Sequence, residues 1–184
     1  MMRRMGWLVA VMAAGFLGGC GSDNKDPVEP PPPPPGLNSP QNVLENLVLS
    51  YQARDSVKTR DLYDSSYVGT STDLNDPPGS QVSIFHYADE VRHVAVMART
   101  ATISSVLVDL GPRASWIRMS SDDPSHPEWA MIQVSNYRIE VFDGGTVYSA
   151  PSINPMIYAF TPTVTAPGDT TWKIVRWTEI GSGF

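Results

Sequence analysis

Apolar side chains recur at helical spacing soon after a proline-rich stretch. Leu44, Leu47, Val48 and Tyr51 fall on one side of a helix. Ser39 is a favoured N-cap residue, and Pro40 suits the first helical position because its missing N–H would have no partner there. The pattern therefore predicts an amphipathic helix that starts at Pro40 and ends before the polar break at Arg54.

Two further helices are predicted before residue 100. Asp55 can cap a short helix that runs to Tyr63, and residues 67–72 read as a short strand followed by a loop over 73–79. A third helix is predicted over residues 81–99. Its apolar face would comprise Ile84, Tyr87, Ala88, Val91, Ala95 and Ala98.

After Thr100 the chain becomes rich in β-branched and aromatic residues, which favour strands. Strands are predicted at residues 106–108, 116–119, 129–142, 147–150, 156–161 and 172–180. Asp143-Gly144-Gly145 predicts a hairpin turn, since glycine accepts the positive φ of tight turns, and residues 166–169 predict another. Helices followed by antiparallel strands predict an α+β domain over residues 41–184 with the helices on one face of a sheet.

Two segments carry a family resemblance. Residues 43–67, with a long helix, an Arg-Asp break and a short helix ending in Asp61-Leu62-Tyr63-Asp64, resemble the opening of SnoaL-like domains of the nuclear transport factor 2-like (NTF2-like) superfamily. Residues 172–177 resemble the final strand of that family. The resemblance implies a cone-shaped, curved antiparallel sheet packed on about three N-terminal helices, with a pocket between them and often a dimer through the sheet.

The N-terminus predicts export and lipid anchoring. Arg3-Arg4 precedes an uncharged apolar stretch over residues 6–16, which is too short to span a bilayer and ends at Leu17-Gly18-Gly19-Cys20. That ending resembles the lipobox of bacterial lipoproteins, which implies a signal peptide over residues 1–19 and a diacylglyceryl group on Cys20. The alternatives are an ordinary signal peptide with an incidental Cys, or a twin-arginine signal, whose other motif residues are missing.

Residues 20–40 are predicted to form a tether. The proline run 30–35 favours polyproline II, so the segment could extend about 60 Å and hold the domain off a membrane. The alternative is a ligand for a proline-binding module. Gly21 after the Cys resembles the outer-membrane sorting pattern of enteric bacteria, so we expect a lipid-anchored protein of the bacterial cell envelope, at the outer membrane.

Composition narrows the classes of partner. The 184 residues are 41% hydrophobic and 17% charged, which suits a folded domain. The 13 basic and 19 acidic side chains give a net charge of -6, which argues against a nucleic-acid partner because phosphate binding needs clustered Lys and Arg. A single Cys excludes an intramolecular disulfide, and it leaves no cysteine nucleophile if Cys20 carries the lipid.

The resemblance offers one specific chemistry, and the residues do not match it. Ketosteroid isomerase uses a carboxylate on the first strand and a phenol in the first helix. Those positions would fall near Ser71 and Leu47, neither of which can do this chemistry, although Tyr51 lies one turn from Leu47. We therefore predict no catalytic residues, while an isomerase or hydrolase with a different dyad, such as Asp73 or Asp109 with a Tyr, is the alternative.

Metal binding and cofactors are also not expected. His86, Glu90 and His93 have the i, i+4, i+7 spacing of a metal-binding stripe, but on the predicted helix they lie opposite the apolar face, so we interpret them as solvated. His126, with Asp122, Asp123 and Glu128, is interpreted as part of a solvated acidic loop.

Aromatic residues are the remaining candidates for a binding site. Apolar cone interiors with a few polar groups suit small apolar ligands, and the candidate ligand-binding residues are Tyr51, Trp116, Tyr137, Trp172 and Trp177. In the last strand Trp172 and Ile174 are expected to face one side, and Val175 and Trp177 the other, which suggests a homodimer. The leading hypothesis is a lipid-anchored, non-catalytic domain that binds a small apolar ligand or an envelope partner; a third hypothesis is a structural protein with a filled pocket.

Overall fold

The computed structural model describes residues 33–73, 77, 82–151, 154–166 and 168–181. Its helices are α1 (Pro40–Gln52), α2 (Ser56–Leu62) and α3 (Tyr87–Arg99), with a short 3-10 helix at Arg113–Ser115. Its strands are β1 (Tyr63–Asp73), β2 (Val82–His86), β3 (Ile103–Asp109), β4 (Ile117–Ser120), β5 (Ala130–Val134), β6 (Arg138–Asp143), β7 (Thr146–Pro151), β8 (Met156–Ala166) and β9 (Asp169–Gly181). In these ranges no helix has the length and apolarity needed to cross a membrane.

The first two helices begin where the sequence predicts. The Ser39 side chain accepts a hydrogen bond from the Asn42 backbone N–H at 3.2 Å, and Asp55 accepts one from Lys58 N–H at 3.0 Å. Both bonds satisfy backbone donors that have no partner inside the helix. The chain already contacts the domain before α1, because Trp172 N–H donates to the Leu37 carbonyl at 2.9 Å.

The strands form two sheets. The larger has the order β2-β1-β9-β8-β5-β4, and the smaller has the order β3-β6-β7. The α+β architecture with a curved sheet on three helices is confirmed, but the sheet is mixed rather than wholly antiparallel, because β1 and β9 run parallel. This parallel pair joins the strand that follows α2 to the last strand of the chain.

The hairpin turns follow glycine chemistry. β6 and β7 pair as far as Asp143 and Thr146, and the turn between them contains Gly144 and Gly145 with φ of 53° and 91°. Gly168, with φ of 86°, lies between β8 and β9. Side chains with a Cβ rarely adopt these angles, so the glycines fix where the strands reverse.

Three predicted elements are wrong in extent. Residues 82–86 form β2 instead of the start of the third helix, so α3 begins only at Tyr87. The strand predicted over residues 129–142 is two strands, which belong to different sheets. Asp73 is the last residue of β1 rather than part of a loop.

The main core lies between the helices and the sheet. Its fully buried members include Val43 and Leu44 from α1, Val94 from α3 and Phe160 from β8. Burial of each such side chain contributes about 1.5–3 kcal/mol. Met131, Ala159 and Val175 form a second small cluster, against which Trp129, Met119 and Ile157 pack.

A β-bulge overturns the predicted facing of the last strand. Ala159 pairs with Arg176, whereas Phe160 pairs with Ile174, so Val175 is an extra residue in β9. Ile174 belongs to the main core, and Trp172 and Trp177 both pack against that core, whereas Val175 joins the second cluster. Trp177 is therefore not on the side that Val175 faces. The homodimer remains a prediction, but the expected facing of the last strand no longer supports it.

Candidate functional site

A cavity of about 760 Å³ opens between α1, α3 and strands of both sheets. Most of its wall is apolar or aromatic, and the charged groups in it lie on α3. The lining comprises Leu47, Tyr51, Tyr63, Tyr67, Ile84, Phe85, Asp89, Glu90, Arg92, His93, Val96, Val108, Ile139, Met156, Tyr158 and Trp177. A largely apolar cavity of this volume with a few polar groups is the usual form of a small-molecule site.

Glu90 places a carboxyl group in this wall. Its Oε1 accepts hydrogen bonds from the Tyr51 hydroxyl and, at 3.3 Å, from the Tyr63 hydroxyl. Burial raises the pKa of Glu90 from 4.5 to about 7, because the charged form loses solvation. Both protonation states are then populated near neutral pH, which is the condition for a side chain that gives and takes protons.

The position of Glu90 follows from where α3 begins. The Asp89 carboxylate accepts a hydrogen bond from the His86 backbone N–H at 3.0 Å, which fixes the first turn of the helix. The buried residues of α3 are Val94 and Met97, and Glu90 precedes Val94 by one turn. Glu90 therefore lies on the inward side of the helix.

The predicted faces of the third helix are only partly right: Tyr87 packs against the core and His93 is exposed as predicted, but other members are misplaced. Ile84 lies in β2 and is 59% exposed, and Ala88 and Ala98 are exposed as well. The prediction that Glu90 faces solvent takes these residues as the buried face of the helix, so it fails with them. His86 precedes the helix, so it does not share a helical stripe with Glu90 and His93.

Two more tyrosines contribute hydroxyls to the cavity wall. Tyr67 and Tyr158 are buried, and desolvation raises the pKa of each phenol above its usual value, so both stay protonated. The Tyr158 hydroxyl contacts Met156 Sδ at 3.8 Å.

Charged residues gather on α3 beside the cavity. Arg92 donates to the Asp89 carboxylate at 3.3 Å, and both side chains are largely exposed. Partial desolvation lowers the pKa of His93, which favours the neutral imidazole. Ile84 and Phe85 on β2 add exposed apolar surface to the same lining.

The five predicted ligand-binding residues fall in different places. Tyr51 and Trp177 line the large cavity. Trp116 lines a second hollow of about 400 Å³ and donates its indole N–H to the Leu110 carbonyl at 2.8 Å. Tyr137 donates its hydroxyl to Glu179, and Trp172 packs against the core without lining either space. Cys20 lies outside the described residues.

The first-strand position expected for a catalytic base has an acidic neighbour. Ser71 pairs across the sheet with Glu179, and its hydroxyl lies 3.5 Å from Glu179 Oε2. Glu179 also holds Tyr137, whose pKa is raised by desolvation and by this carboxylate. Sequence spacing does not reveal this cluster, because its three residues come from distant parts of the chain.

Of the two acids proposed for an alternative dyad, the structure describes the side chain of Asp109 and places it outside the lining of the large cavity. Asp109 is exposed, accepts a hydrogen bond from Gly111 N–H at 2.8 Å and lines the second hollow instead. The Asp73 side chain lies outside the described residues. Glu90, which the sequence pattern assigns to a solvated face, is instead an acid of the cavity wall that accepts hydrogen bonds from two tyrosines.

The metal candidates do not converge where the structure can be described. Over these residues no group of three or more His, Cys, Asp or Glu side chains is arranged to hold a metal ion. His126 contacts Glu128 at 3.1 Å and stacks on the Trp129 ring with centroids 4.3 Å apart. These contacts account for His126 as a packing residue of an exposed loop.

Comparison with known proteins identifies the fold. The sequence matches no protein-family profile and no curated protein. A conserved protein from Planctomyces limnophilus superposes with a TM-score of 0.50 at 12% identity, over 76% of this chain and 91% of that one. An NTF2-like superfamily protein from Salmonella enterica superposes with a TM-score of 0.50 at 8% identity, over 78% of this chain and 89% of that one.

A third match is to a longer protein. Bd1075 of Bdellovibrio bacteriovorus superposes with a TM-score of 0.44 at 13% identity, over 73% of this chain. This chain spans only 37% of the length of that protein. The two superpositions at 0.50, together with the three helices and the curved mixed sheet, show that this chain has the NTF2-like cone fold.

Proposed function

We propose that the domain binds a small, largely apolar molecule in the 760 Å³ cavity and that Glu90 exchanges a proton with it. The observation that supports this most directly is the placement of the Glu90 carboxyl in an apolar wall, with two tyrosine hydroxyls on the same oxygen. A solvated surface carboxylate would lack both features. This proposal departs from the expectation of a non-catalytic domain because of Glu90.

The chemistry that suits these groups is an isomerisation by proton transfer. The Glu90 carboxylate takes a proton from a carbon atom of the bound molecule, and the electron pair of that C–H bond shifts into the molecule. The resulting carboxylic acid returns the proton to another atom, so the carboxylate is restored and no co-reactant is consumed. Tyr51 and Tyr63 orient the carboxyl group and stabilise its charged form.

Deuterium exchange tests this proposal whichever product the reaction forms. The full chain is purified gently from its host, and native mass spectrometry identifies any retained small molecule. That molecule is then incubated in D₂O with the protein or with Glu90→Gln. We expect deuterium to enter it only with the unsubstituted protein. Equal exchange in both samples would reject Glu90 as the proton carrier.

A non-catalytic binder is the second candidate, and one observation favours it. Oε1 of Glu90 already accepts two hydrogen bonds from within the protein, which could make the carboxyl group a structural anchor for α1 and α3. This candidate predicts that a ligand is retained but exchanges no deuterium. Glu90→Gln would then weaken folding or binding without removing a reaction.

We further propose that the domain is held at the bacterial outer membrane by lipid on Cys20. The basic start, the apolar stretch and the lipobox-like Leu17-Gly18-Gly19-Cys20 support this. Removal of residues 1–19 would also remove two arginines and leave a more acidic protein, for which charge attraction to anionic lipid would be weak. We expect Cys20→Ser to move the protein from the membrane fraction to the soluble fraction, and an unchanged distribution would refute the anchor.

A further inference from the structure

Two side chains of the cavity wall, Tyr67 and Trp177, carry hydrogen-bond donors. The Tyr67 side chain is 3% exposed, and its hydroxyl lies beside Gly69. The Trp177 Nε1 is buried, and it has no hydrogen-bond partner among the described residues. Both residues line the large cavity. Buried polar groups in native proteins are almost always paired, so the unpaired Trp177 indole N–H calls for a specific explanation.

The two side chains meet above one glycine. Gly69 on β1 pairs with Trp177 on the adjacent β9. A Cβ at Gly69 would lie 2.4 Å from the Tyr67 hydroxyl oxygen and 3.0 Å from Trp177 Cε3. The absence of a side chain at Gly69 therefore lets the phenol and the indole approach each other on the same face of the sheet.

The Tyr67 hydroxyl and the Trp177 indole N–H can both donate a hydrogen bond, so a group that binds them must be an acceptor. An indole N–H is a donor only. The desolvated Tyr67 phenol stays protonated, so it keeps its O–H as a donor. Tyr63 contacts the Tyr67 ring edge-on, with centroids 4.7 Å apart, and gives its own hydroxyl proton to Glu90.

We propose that Tyr67 and Trp177 form a subsite for a hydrogen-bond acceptor, so that the cavity selects apolar molecules that carry a carbonyl or ether oxygen. This inference rests on the proposed ligand-binding cavity and adds which polar group its ligand must carry. The subsite lies on the sheet wall, on β1 and β9, whereas the proposed proton carrier lies on α3. A bound oxygen would thus be fixed from one wall while Glu90 acts from another.

A matched pair of probes tests the subsite. The full chain with ¹⁵N-labelled tryptophan is titrated with 2-acetylnaphthalene, which carries a carbonyl, and with 2-ethylnaphthalene, which does not. The Trp177 indole signal is assigned with Trp177→Phe. We expect the ketone to move this signal and to bind about five- to tenfold more tightly than the hydrocarbon. Tyr67→Phe should reduce the difference, whereas Tyr148→Phe, at a site that is 60% exposed, should preserve it.

The outcomes separate the subsite from the cavity. Equal binding of both probes with an unmoved Trp177 indole signal would overturn the acceptor subsite and leave the apolar cavity intact. Failure of both probes to bind would overturn the cavity as an apolar site, and the subsite with it. Preferential binding of the ketone that survives Tyr67→Phe unchanged would also reject the role of Tyr67.

Discussion

The hydroxyl of Tyr51 on α1 donates a hydrogen bond to Oε1 of Glu90 on α3, 39 residues further along the chain. Tyr63, at the start of β1, donates to the same oxygen. One carboxyl group thus ties two helices and a strand together at the cavity wall. The same group is desolvated, so it links the stability of the fold to pH.

The first prediction concerns this linkage. A rise in the pKa of Glu90 from 4.5 to about 7 means that the folded state binds the proton more tightly than the unfolded state. The tighter proton binding stabilises the folded state fully below pH 4.5, and this stabilisation is lost as the pH rises through 7. The free energy of unfolding should fall by about 3 kcal/mol over this range. Glu90→Gln cannot titrate, so its free energy of unfolding should lack this loss.

Urea unfolding at several pH values measures the effect. The difference in unfolding free energy between the protein and Glu90→Gln should change between pH 4.5 and 7 and be constant above pH 8. Asp61→Asn, at an exposed position whose partner Arg60 stays charged throughout, is the matched control and should follow the unsubstituted protein through this window. A difference that is independent of pH would contradict the prediction.

The second prediction concerns Tyr51. Tyr51→Phe removes a donor to the Glu90 carboxylate, so the charged form loses support and the pKa of Glu90 should rise above 7. The loss of stability should be about 1–3 kcal/mol at pH 8 and smaller at pH 5, where the carboxyl group is protonated. Thermal or urea unfolding at the two pH values checks this. Tyr148→Phe serves as the control, and equal losses at both pH values would count against the proposed hydrogen bond.

The third prediction concerns Gly69. In Gly69→Ala the new methyl group would meet the Tyr67 hydroxyl oxygen at 2.4 Å, so Tyr67 and Trp177 must move apart. We expect destabilisation of about 1–3 kcal/mol and a changed near-UV circular dichroism spectrum, because both chromophores shift. Gly36→Ala is the control, since a Cβ at Gly36 meets no atom within 4 Å. A Gly69→Ala protein with unchanged stability and spectrum would show that this wall is not closely packed.

The fourth prediction concerns the start of α2. Asp55 accepts from Lys58 N–H, and this bond holds the pKa of the carboxyl group below its usual 3.8. Asp55→Ala should destabilise the protein by about 1 kcal/mol at pH 7, whereas Asp55→Asn should retain most of the cap. The advantage of Asp55 over Ala is present above pH 3.8 and should shrink as the pH falls through the lowered pKa. An Asp55→Asn protein as unstable as Asp55→Ala would argue against capping.

Local signals in the sequence predict the elements that depend on local chemistry. Ser39, Asp55 and the Gly144-Gly145 turn act on backbone groups within a few residues, so their roles can be read from the chain. The strand β2 escapes prediction because the Ile84 and Phe85 pair is compatible with either a helix or a strand. Its assignment to a strand depends on pairing with β1, which spacing alone does not reveal.

The site is harder to predict than the fold. The sequence places Glu90 on the wrong face because the phase of the helix is set from Ile84, which is not helical. The sequence places Val175 and Trp177 on the same side of the last strand, but the bulge at Val175 puts them on opposite sides. The contacts of Tyr51 with Glu90 and of Tyr137 with Glu179 join residues 39 and 42 positions apart, so only the assembled fold reveals them.

The most direct test is a measurement of the pKa of Glu90 in the folded protein. The side-chain carboxyl carbon is followed by ¹³C NMR from pH 3 to pH 9, with the signal assigned by Glu90→Gln. We expect a midpoint of about 7, because the carboxyl group lies in the apolar cavity wall. A midpoint near 4.5 would mean that Glu90 is solvated, and it would contradict the proposed proton transfer.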